Sequence, residues 1–203
     1  MSKRSDLPRN ARDFYSTPIR ATLPLLQFMD WGNPVKFIEP CAADGKLIRH
    51  LESQSAMKCV YASDIQPLPT VSNVTTPVHE HGFKVDWHAI NEALPIPATH
   101  FITNPPFLNT KESGFQLLDL IDTLSAVLPT ILLLPTDFAF NVRSAEVIRY
   151  ATDIIPIGRV KWVDDSKFSS TENFGWFIFD QNNSKGVGPR VLPRRQKDIG
   201  NED

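Results

Sequence analysis

The chain has 203 residues, of which 41% are hydrophobic and 22% are charged. This composition fits one compact domain and excludes wholesale disorder, a fibrous chain and a coiled coil. No apolar run approaches the ~20 residues that a membrane helix needs, and no apolar core follows the first residues as a secretory signal requires. The two cysteines, Cys41 and Cys59, are too few for a disulfide scaffold and lack metal-ligand spacing. We therefore expect a cytoplasmic protein that binds neither membrane nor metal.

The formal net charge of −2 hides an uneven distribution along the chain. Residues 1–20 include five basic and two acidic residues, and residues 181–197 include five basic residues and no acidic one. The body between them, 21–180, is acidic. Basic ends of this kind either lie along a polyanion or are solvated tails. We predict a flexible basic N-terminus over 1–13, one domain over 14–180 and a flexible basic tail over 181–203.

Short β-type runs alternate with helical stretches through the domain, and two polar stretches, 66–77 and 164–173, interrupt the pattern. The predicted strands are 35–38, 57–63, 83–85, 100–103, 130–134, 153–157, 159–163 and 175–180. The predicted helices are 46–53, 112–127 and 141–151. Such alternation predicts an α/β fold in which helices flank a mostly parallel sheet.

The ends of the first two predicted strands carry acids. Glu-Pro-Cys-Ala-Ala-Asp-Gly (39–45) closes the first strand, and its small residues would let a ligand approach the backbone. Ligands of doubly wound sheets bind beyond these carboxyl ends. Asp64 ends the second strand and can accept both hydroxyls of a ribose, with Ile65 placed against a purine face. The pair indicates nucleoside binding, and its alternative is a loop with a capping aspartate.

Asn-Pro-Pro-Phe (104–107) directly follows the predicted strand 100–103. The two prolines stiffen the backbone. The side-chain oxygen of Asn104 and the carbonyl of Pro105 can together accept both hydrogens of a planar amino group, and Phe107 can stack on its ring. The alternative is a proline-rich turn with Phe107 in the core. The two nucleoside-type strand ends upstream favour the functional interpretation.

Five segments in this order carry a family resemblance: Phe-Tyr-Ser-Thr-Pro (14–18), Glu-Pro-Cys-Ala-Ala-Asp-Gly (39–45), Ser-Asp-Ile (63–65), Val-Asp-Trp (85–87) and Asn-Pro-Pro-Phe (104–107). The chain resembles the class I S-adenosylmethionine-dependent N6-adenine DNA methyltransferases, particularly the small phage-type members. The resemblance covers most of 14–180, and Thr-Glu-Asn-Phe-Gly-Trp-Phe (171–177) is similar to the family's aromatic strand facing the target base. It implies a Rossmann-like fold that ends in an antiparallel strand at 175–180.

The resemblance also implies a role for each matching residue. The residues that would bind S-adenosylmethionine are Tyr15, Thr17 and Pro18 over its methionine end, Glu39, Cys41, Ala42 and Asp44 along its methionine and ribose, Asp64 at the ribose hydroxyls, Ile65 on the purine, Asp86 and Trp87 at the adenine amine, and Asn104. The catalytic residues would be Asn104, Pro105, Pro106 and Phe107. Phe107 and Phe174 would contact the target base.

The implied reaction is methyl transfer to the exocyclic N6 amine of an adenine flipped out of DNA. Segment 104–107 is shared with enzymes that methylate RNA adenine or protein glutamine, so these substrates remain alternatives, as does a catalytically silent cofactor- or DNA-binding module. The chain departs from the family at Ala43, where members usually have glycine, and the methyl group there is expected to crowd the cofactor. Neither polar stretch reaches the ~50 residues of an independent domain. We therefore expect a short or relaxed recognition sequence, or specificity supplied by a second copy in a homodimer.

Three other features have simpler explanations. Cys41 lies inside the cofactor segment and is interpreted as a small lining residue rather than a nucleophile. His79 and His81 have no set of cysteines or carboxylates at ligand spacing, which favours solvated or capping histidines over a metal site. Trp162 is interpreted as a packing residue.

Overall fold

The computed structural model describes residues 16–28, 34–65, 75–77, 81–107, 116–162, 169–182 and 186–192. Its strands are β1 (Lys36–Glu39), β2 (Lys58–Asp64), β3 (Thr75–Pro77), β4 (His100–Thr103), β5 (Thr130–Pro135), β6 (Ala151–Arg159), β7 (Asn173–Phe179) and β8 (Arg190–Val191). Its α-helices are α1 (Ile19–Phe28), α2 (Lys46–Gln54), α3 (Trp87–Ala93), α4 (Leu117–Ser125) and α5 (Ala145–Ile148). Three short 3-10 turns lie at Gly82–Lys84, Thr136–Phe140 and Val142–Ser144.

The strands of the described residues form one sheet in the order β3-β2-β1-β4-β5-β7-β6-β8. The pairs from β3 to β5 are parallel, and β7 runs antiparallel to both β5 and β6. The predicted α/β fold with a mostly parallel sheet and an antiparallel strand near 175–180 is confirmed. The strand order reverses between β1 and β4, and this reversal opens a crevice at their carboxyl ends.

Helices cover both faces of the sheet. The all-apolar centre of β5 explains why, since Ile131 and Leu133 point into one core and Leu132 and Leu134 into the other. One core receives Leu25 of α1 and the apolar face of α2. The other receives α4, whose buried residues recur at helical spacing: Leu117, Leu120, Ile121 and Leu124.

Four predicted elements differ from the observed ones. Residues 83–85 form part of a 3-10 turn and its end rather than a strand. The predicted strands 153–157 and 159–163 are replaced by one strand, β6, which ends at Arg159. The predicted helix 141–151 is reduced to a 3-10 turn and the short α5. There Asn141 Oδ1 accepts from the Arg143 N–H at 2.9 Å and Ser144 Oγ donates to the Asn141 carbonyl at 2.7 Å. Such local bonds compete with helix formation.

Part of the predicted flexible tail is ordered. Arg190 and Val191 form β8, which pairs in parallel with β6 at the edge of the sheet, so the antiparallel β7 is not the last strand. Arg190 also pairs with Asp153 of β6, with Nη2 and Oδ1 2.7 Å apart. A two-residue strand has no periodicity that a sequence can reveal.

Candidate functional site

The carboxyl ends of β1, β2 and β4 meet at one edge, because β1 lies between β2 and β4 in the sheet. Glu39 is the last residue of β1, Asp64 is the last of β2, and Asn104 immediately follows β4. The topology therefore brings together the three polar side chains that the sequence analysis selected at strand ends.

The loop after β1 is tied to the end of β2. Ala42 is buried, and its N–H donates to the Ser63 carbonyl at 2.9 Å. The Ala43 N–H donates to Asp64 Oδ2 at 2.8 Å, which fixes that carboxylate beside the loop. Ala43 has φ +49° and Gly45 has φ +69°, so the chain passes twice through the left-handed region before α2 begins.

Asp44 joins this loop to the segment that precedes α1. Its Oδ1 accepts from the Lys46 N–H at 3.0 Å, and its Oδ2 accepts from Ser16 Oγ at 2.5 Å. Segment 16–18, which includes the predicted residues Thr17 and Pro18, therefore lies against the loop after β1. Tyr15 lies outside the described residues.

Buried acidity dominates the electrostatics of the site. Glu39 is only 1% exposed, and its Oε2 has no hydrogen-bond partner among the described residues. Burial raises the pKa of Glu39 well above its ordinary value, and the charges of Asp64 and Asp44 raise it further. Burial, followed by the charge of Asp64, also raises the pKa of Cys41. Cys41 is thus a neutral thiol, which agrees with its interpretation as a lining residue.

The loop after β4 carries the predicted catalytic segment. Asn104 is half-buried, and its Nδ2 donates to Thr17 Oγ1 at 3.1 Å. This bond turns the side-chain oxygen of Asn104 away from Thr17. Pro105 is buried, whereas Pro106 and Phe107 are half-buried. The ring of Phe107 packs against that of Phe174, with centroids 5.7 Å apart.

Two aromatic residues that are predicted to touch a ligand are buried. Phe174 is only 4% exposed and is covered by Phe107 on one side and by Trp162, at a centroid distance of 5.0 Å, on another. Trp87 is only 1% exposed, and its Nε1 donates to the Gly82 carbonyl at 2.7 Å. Both rings therefore pack inside the protein: Phe174 backs Phe107, and Trp87 lies at the start of α3. The contacts of Phe174 with the target base and of Trp87 with the cofactor stay predictions.

Two other predicted residues remain open to solvent. Ile65 is 41% exposed just beyond β2. Asp86 is exposed and caps α3, where its Oδ1 accepts from the Ala89 N–H at 3.0 Å. The helix α3 connects β3 to β4, which are parallel, so α3 runs antiparallel to both strands. Its N-terminus therefore lies at the edge of the sheet where the strands have their carboxyl ends.

Sequence reasoning missed two residues of this site. Ser16 has no motif signal apart from its place beside Thr17, yet it binds Asp44. His50 of α2 contacts the Thr17 backbone: burial lowers the pKa of His50, and this hydrogen bond acts in the opposite direction.

Within the part of the chain that the structure describes, no helix is long and apolar enough to cross a membrane. No group of three or more His, Cys, Asp or Glu residues in that part could hold a metal ion.

Comparisons with known proteins identify the fold. No protein-family model matches the sequence, and the search of curated proteins found no match. A Listeria monocytogenes protein described as a class I S-adenosylmethionine-dependent methyltransferase is 14% identical, with a TM-score of 0.55, over 90% of this chain and 67% of its own. The type I restriction-modification methyltransferase subunit from Streptococcus thermophilus is 9% identical, with a TM-score of 0.52, over 83% of this chain and 45% of its own.

A third structure, described as a modification subunit of a type I restriction enzyme from Vibrio vulnificus, is 12% identical, with a TM-score of 0.55. The match covers 92% of this chain and 51% of that one. The chain thus spans about half the length of the two restriction-modification subunits. At these identities the likeness shows that the chain has a Rossmann-like methyltransferase fold.

Proposed function

We propose that this protein transfers a methyl group from S-adenosylmethionine to the exocyclic N6 amine of adenine in DNA. The observation that carries the proposal is the side chain of Asn104. It follows β4, beside the acid-bearing ends of β1 and β2, and Thr17 holds its amide nitrogen at 3.1 Å. Such an arrangement would set an amide oxygen, which is buried in this structure, beside a crevice that suits a nucleoside.

The charge of the crevice favours a cationic cofactor. Glu39, Asp44 and Asp64 are close enough that the charges of the two aspartates raise the pKa of Glu39. A positive group at the unpartnered Glu39 Oε2 would relieve both this repulsion and the cost of burial. The sulfonium and ammonium groups of S-adenosylmethionine meet this requirement, whereas the pyrophosphate of a dinucleotide would add negative charge. The residues present therefore fit the cofactor.

The same residues suggest how the cofactor would be held. Asp64, fixed by the Ala43 N–H, would accept the ribose hydroxyls, and exposed Ile65 would cover the purine. Asp86 would accept from the adenine amine with the carboxylate that caps α3. Asp44, Thr17 and Pro18 would enclose the methionine end. S-adenosylmethionine supplies an already activated methyl group.

The chemistry of the amine explains why an amide oxygen is needed. The lone pair of an exocyclic adenine amine is delocalised into the ring, so the nitrogen is a poor nucleophile. As nitrogen becomes tetrahedral during methyl transfer, its hydrogens become better donors. The Asn104 side-chain oxygen and the Pro105 carbonyl would accept them more strongly in the transition state than in the ground state, which lowers the barrier.

The substrate class is inferred from the rim of the site. Phe107 is half-buried and is backed by Phe174, so it can offer a rigid ring face to a planar base. A base in duplex DNA must be flipped out to reach it, at a cost of a few kcal/mol. The resemblance of 14–18 to the segment that accompanies adenine methylation favours adenine. The likeness to two restriction-modification structures is in keeping with DNA as the substrate.

The test is methylation of defined pools with labelled S-adenosylmethionine. DNA, RNA and protein are incubated separately, and the modified nucleoside or residue is identified by mass spectrometry. We expect N6-methyladenine in DNA. Label found only in RNA or in protein glutamine would identify that molecule as the substrate in place of DNA. Absence of label in all three pools would favour a non-catalytic binding module.

Asn104→Ala tests the mechanism within the same assay. We expect kcat to fall about 100- to 1,000-fold, because a preorganised transition-state contact is lost. Cofactor affinity, measured by calorimetry, should change little. Asn182→Ala, which alters an exposed asparagine whose backbone N–H alone bonds Asp180, is the matched control. An Asn104→Ala variant as active as this control would contradict the mechanism.

The length of the recognition sequence is inferred from the two polar stretches, 66–77 and 164–173, which are each too short to form a recognition domain of their own. We propose that it is short or relaxed, or that a second copy of the chain supplies further contacts. Sequencing of DNA methylated by the purified protein decides this point, and methylation confined to a long asymmetric site would contradict it.

A further inference from the structure

The hydroxyl of Thr17 contacts the proposed catalytic asparagine. Thr17 is only 4% exposed, and its Oγ1 accepts from Asn104 Nδ2 at 3.1 Å across 87 residues of sequence. The resemblance assigns Thr17 only to the methionine end of the cofactor. This bond gives it a second partner on the opposite loop of the site.

The segment that carries Thr17 is held on several sides. Ser16 Oγ donates to Asp44 of the loop after β1, and His50 of α2 hydrogen-bonds the Thr17 backbone. The following turn is closed by the Ala21 N–H, which donates to the Pro18 carbonyl at 3.0 Å. The Ala21 carbonyl in turn accepts from the buried Trp176 Nε1 at 2.7 Å. The Thr17 oxygen is therefore presented from a fixed backbone.

A fixed hydroxyl at this position matters because an amide side chain has two unlike ends. Rotation of the Asn104 amide by half a turn would exchange its acceptor oxygen for its donor NH2 group. If the NH2 group of Asn104 faced the target amine, two hydrogen-bond donors would meet and no hydrogen bond could form between them. In this structure the Thr17 hydroxyl accepts from Nδ2, and that bond holds the amide with its oxygen directed away from Thr17.

We propose that Thr17 is a positioning residue that sets the orientation of the Asn104 amide for methyl transfer. This inference rests on the proposed function, because it assigns Thr17 a task in that reaction. Thr17 also shares its segment with Ser16, which binds Asp44 of the loop after β1. One short segment thus joins the two loops that would hold the methyl donor and the methyl acceptor.

The test compares Thr17→Val, which removes the hydroxyl at nearly constant shape, with Thr17→Ser, which retains it. We expect Thr17→Val to lower kcat at saturating cofactor and DNA about 10- to 100-fold, as misorientation of reacting groups does. Thr17→Ser should restore most of the rate. Thr22→Val is the matched control, because Thr22 is also buried and, among the described residues, its Oγ1 donates to the local Ile19 carbonyl at 2.7 Å.

A second readout does not require activity. The two side-chain NH2 protons of Asn104, assigned by their loss in Asn104→Ala, are followed by nuclear magnetic resonance in 15N-labelled protein. We expect Thr17→Val to shift these signals and Thr17→Ser to preserve them. If Thr17→Val does not fold, Thr17→Ala removes the same oxygen with less bulk in its place and is measured instead.

The outcomes separate the inference from the function on which it rests. If the wild-type protein methylates none of the pools, the proposed function fails, and the resonance experiment still decides whether Thr17 orients the amide. If the wild type is active and the variant lacking the hydroxyl keeps its kcat, the positioning role is overturned. Unchanged Asn104 signals in that variant would overturn it as well.

Discussion

Ala43 offers a quantitative test of how the loop after β1 is built. Among the described residues it alone combines a side chain with a positive φ, of +49°. A Cβ atom in this left-handed conformation crowds the neighbouring carbonyl oxygen. Replacement by glycine removes the crowding and leaves in place the backbone N–H that donates to Asp64 at 2.8 Å.

The expected gain in stability is the difference between two effects. The left-handed conformation costs a non-glycine residue about 1–2 kcal/mol in the folded state. Glycine adds freedom to the unfolded chain, which offsets about 0.4–1 kcal/mol of that relief. Ala43→Gly should therefore stabilise the protein by up to about 1.6 kcal/mol, with a midpoint of about 0.8 kcal/mol, which is equivalent to a rise in Tm of about 2–3 °C for a chain of this size.

The neighbouring Ala42 is the matched control. It has no positive φ and is only 2% exposed, so Ala42→Gly removes a buried methyl group and relieves nothing. We expect this variant to lose about 1–2 kcal/mol, from the methyl group and from backbone entropy. Urea unfolding of the two variants and the wild type measures both values. An Ala43→Gly variant as destabilised as Ala42→Gly would refute the conformational argument. Tighter cofactor binding by Ala43→Gly, measured by calorimetry, would show in addition that the methyl group crowds the ligand.

Three further predictions follow from buried contacts. Because the pKa of Glu39 is raised, the folded wild type holds a proton that the unfolded chain releases above the ordinary pKa of 4.5. Glu39→Gln should therefore equal the wild type in stability at pH 4 and exceed it as the pH rises. The cofactor affinity of the wild type should fall about tenfold per pH unit below the raised pKa of Glu39, and the affinity of the variant should not. Parallel pH profiles of the two proteins would contradict this prediction. Gly175→Ala would put a Cβ 3.1 Å from the Ile155 carbonyl oxygen and 3.2 Å from Ile154 Cγ2. Urea unfolding should therefore show that the free energy of unfolding falls by about 1–3 kcal/mol. Unchanged stability would mean that β6 can move away from the added methyl group. Arg190→Ala would deprive the buried Asp153 carboxylate of its partner at 2.7 Å. Because Arg190 itself is exposed, we expect the free energy of unfolding to fall by only about 1 kcal/mol, and by less in high salt. A loss that does not depend on salt would indicate that the packing of β8 is responsible instead.

The centre of the fold could be predicted from sequence because its signals are local. The continuous apolar run 130–134 is β5, buried on both faces, and the i, i+3, i+4 spacing of leucines locates α4. Elements whose order depends on distant partners could not be found in this way. Residues 190–191 become a strand only because β6 presents an unpaired edge and Asp153 a charge.

The polar residues of the site could also be predicted from the sequence. Residues that end or directly follow a parallel strand lie at the carboxyl edge of the sheet whatever the rest of the chain does, provided that the strand is identified. Glu39, Asp64 and Asn104 are all of this kind. Contacts between loops are different, since nothing in the spacing of Ser16 and Asp44, or of Thr17 and Asn104, indicates that their side chains meet.

The aromatic residues show where the sequence argument stops. Phe107 and Ile65 lie just past the ends of strands, beyond the part of the sheet that helices cover, and both keep exposed surface. Phe174 lies inside β7, which is buried on both faces, so alternation along the strand carries no information about which ring faces a ligand. Trp87 opens a helix that packs against the sheet, and its ring is turned inward by the bond to Gly82. An aromatic residue of a motif therefore keeps exposed surface where it stands beyond the end of an element, and it is packed inside where it lies within the element.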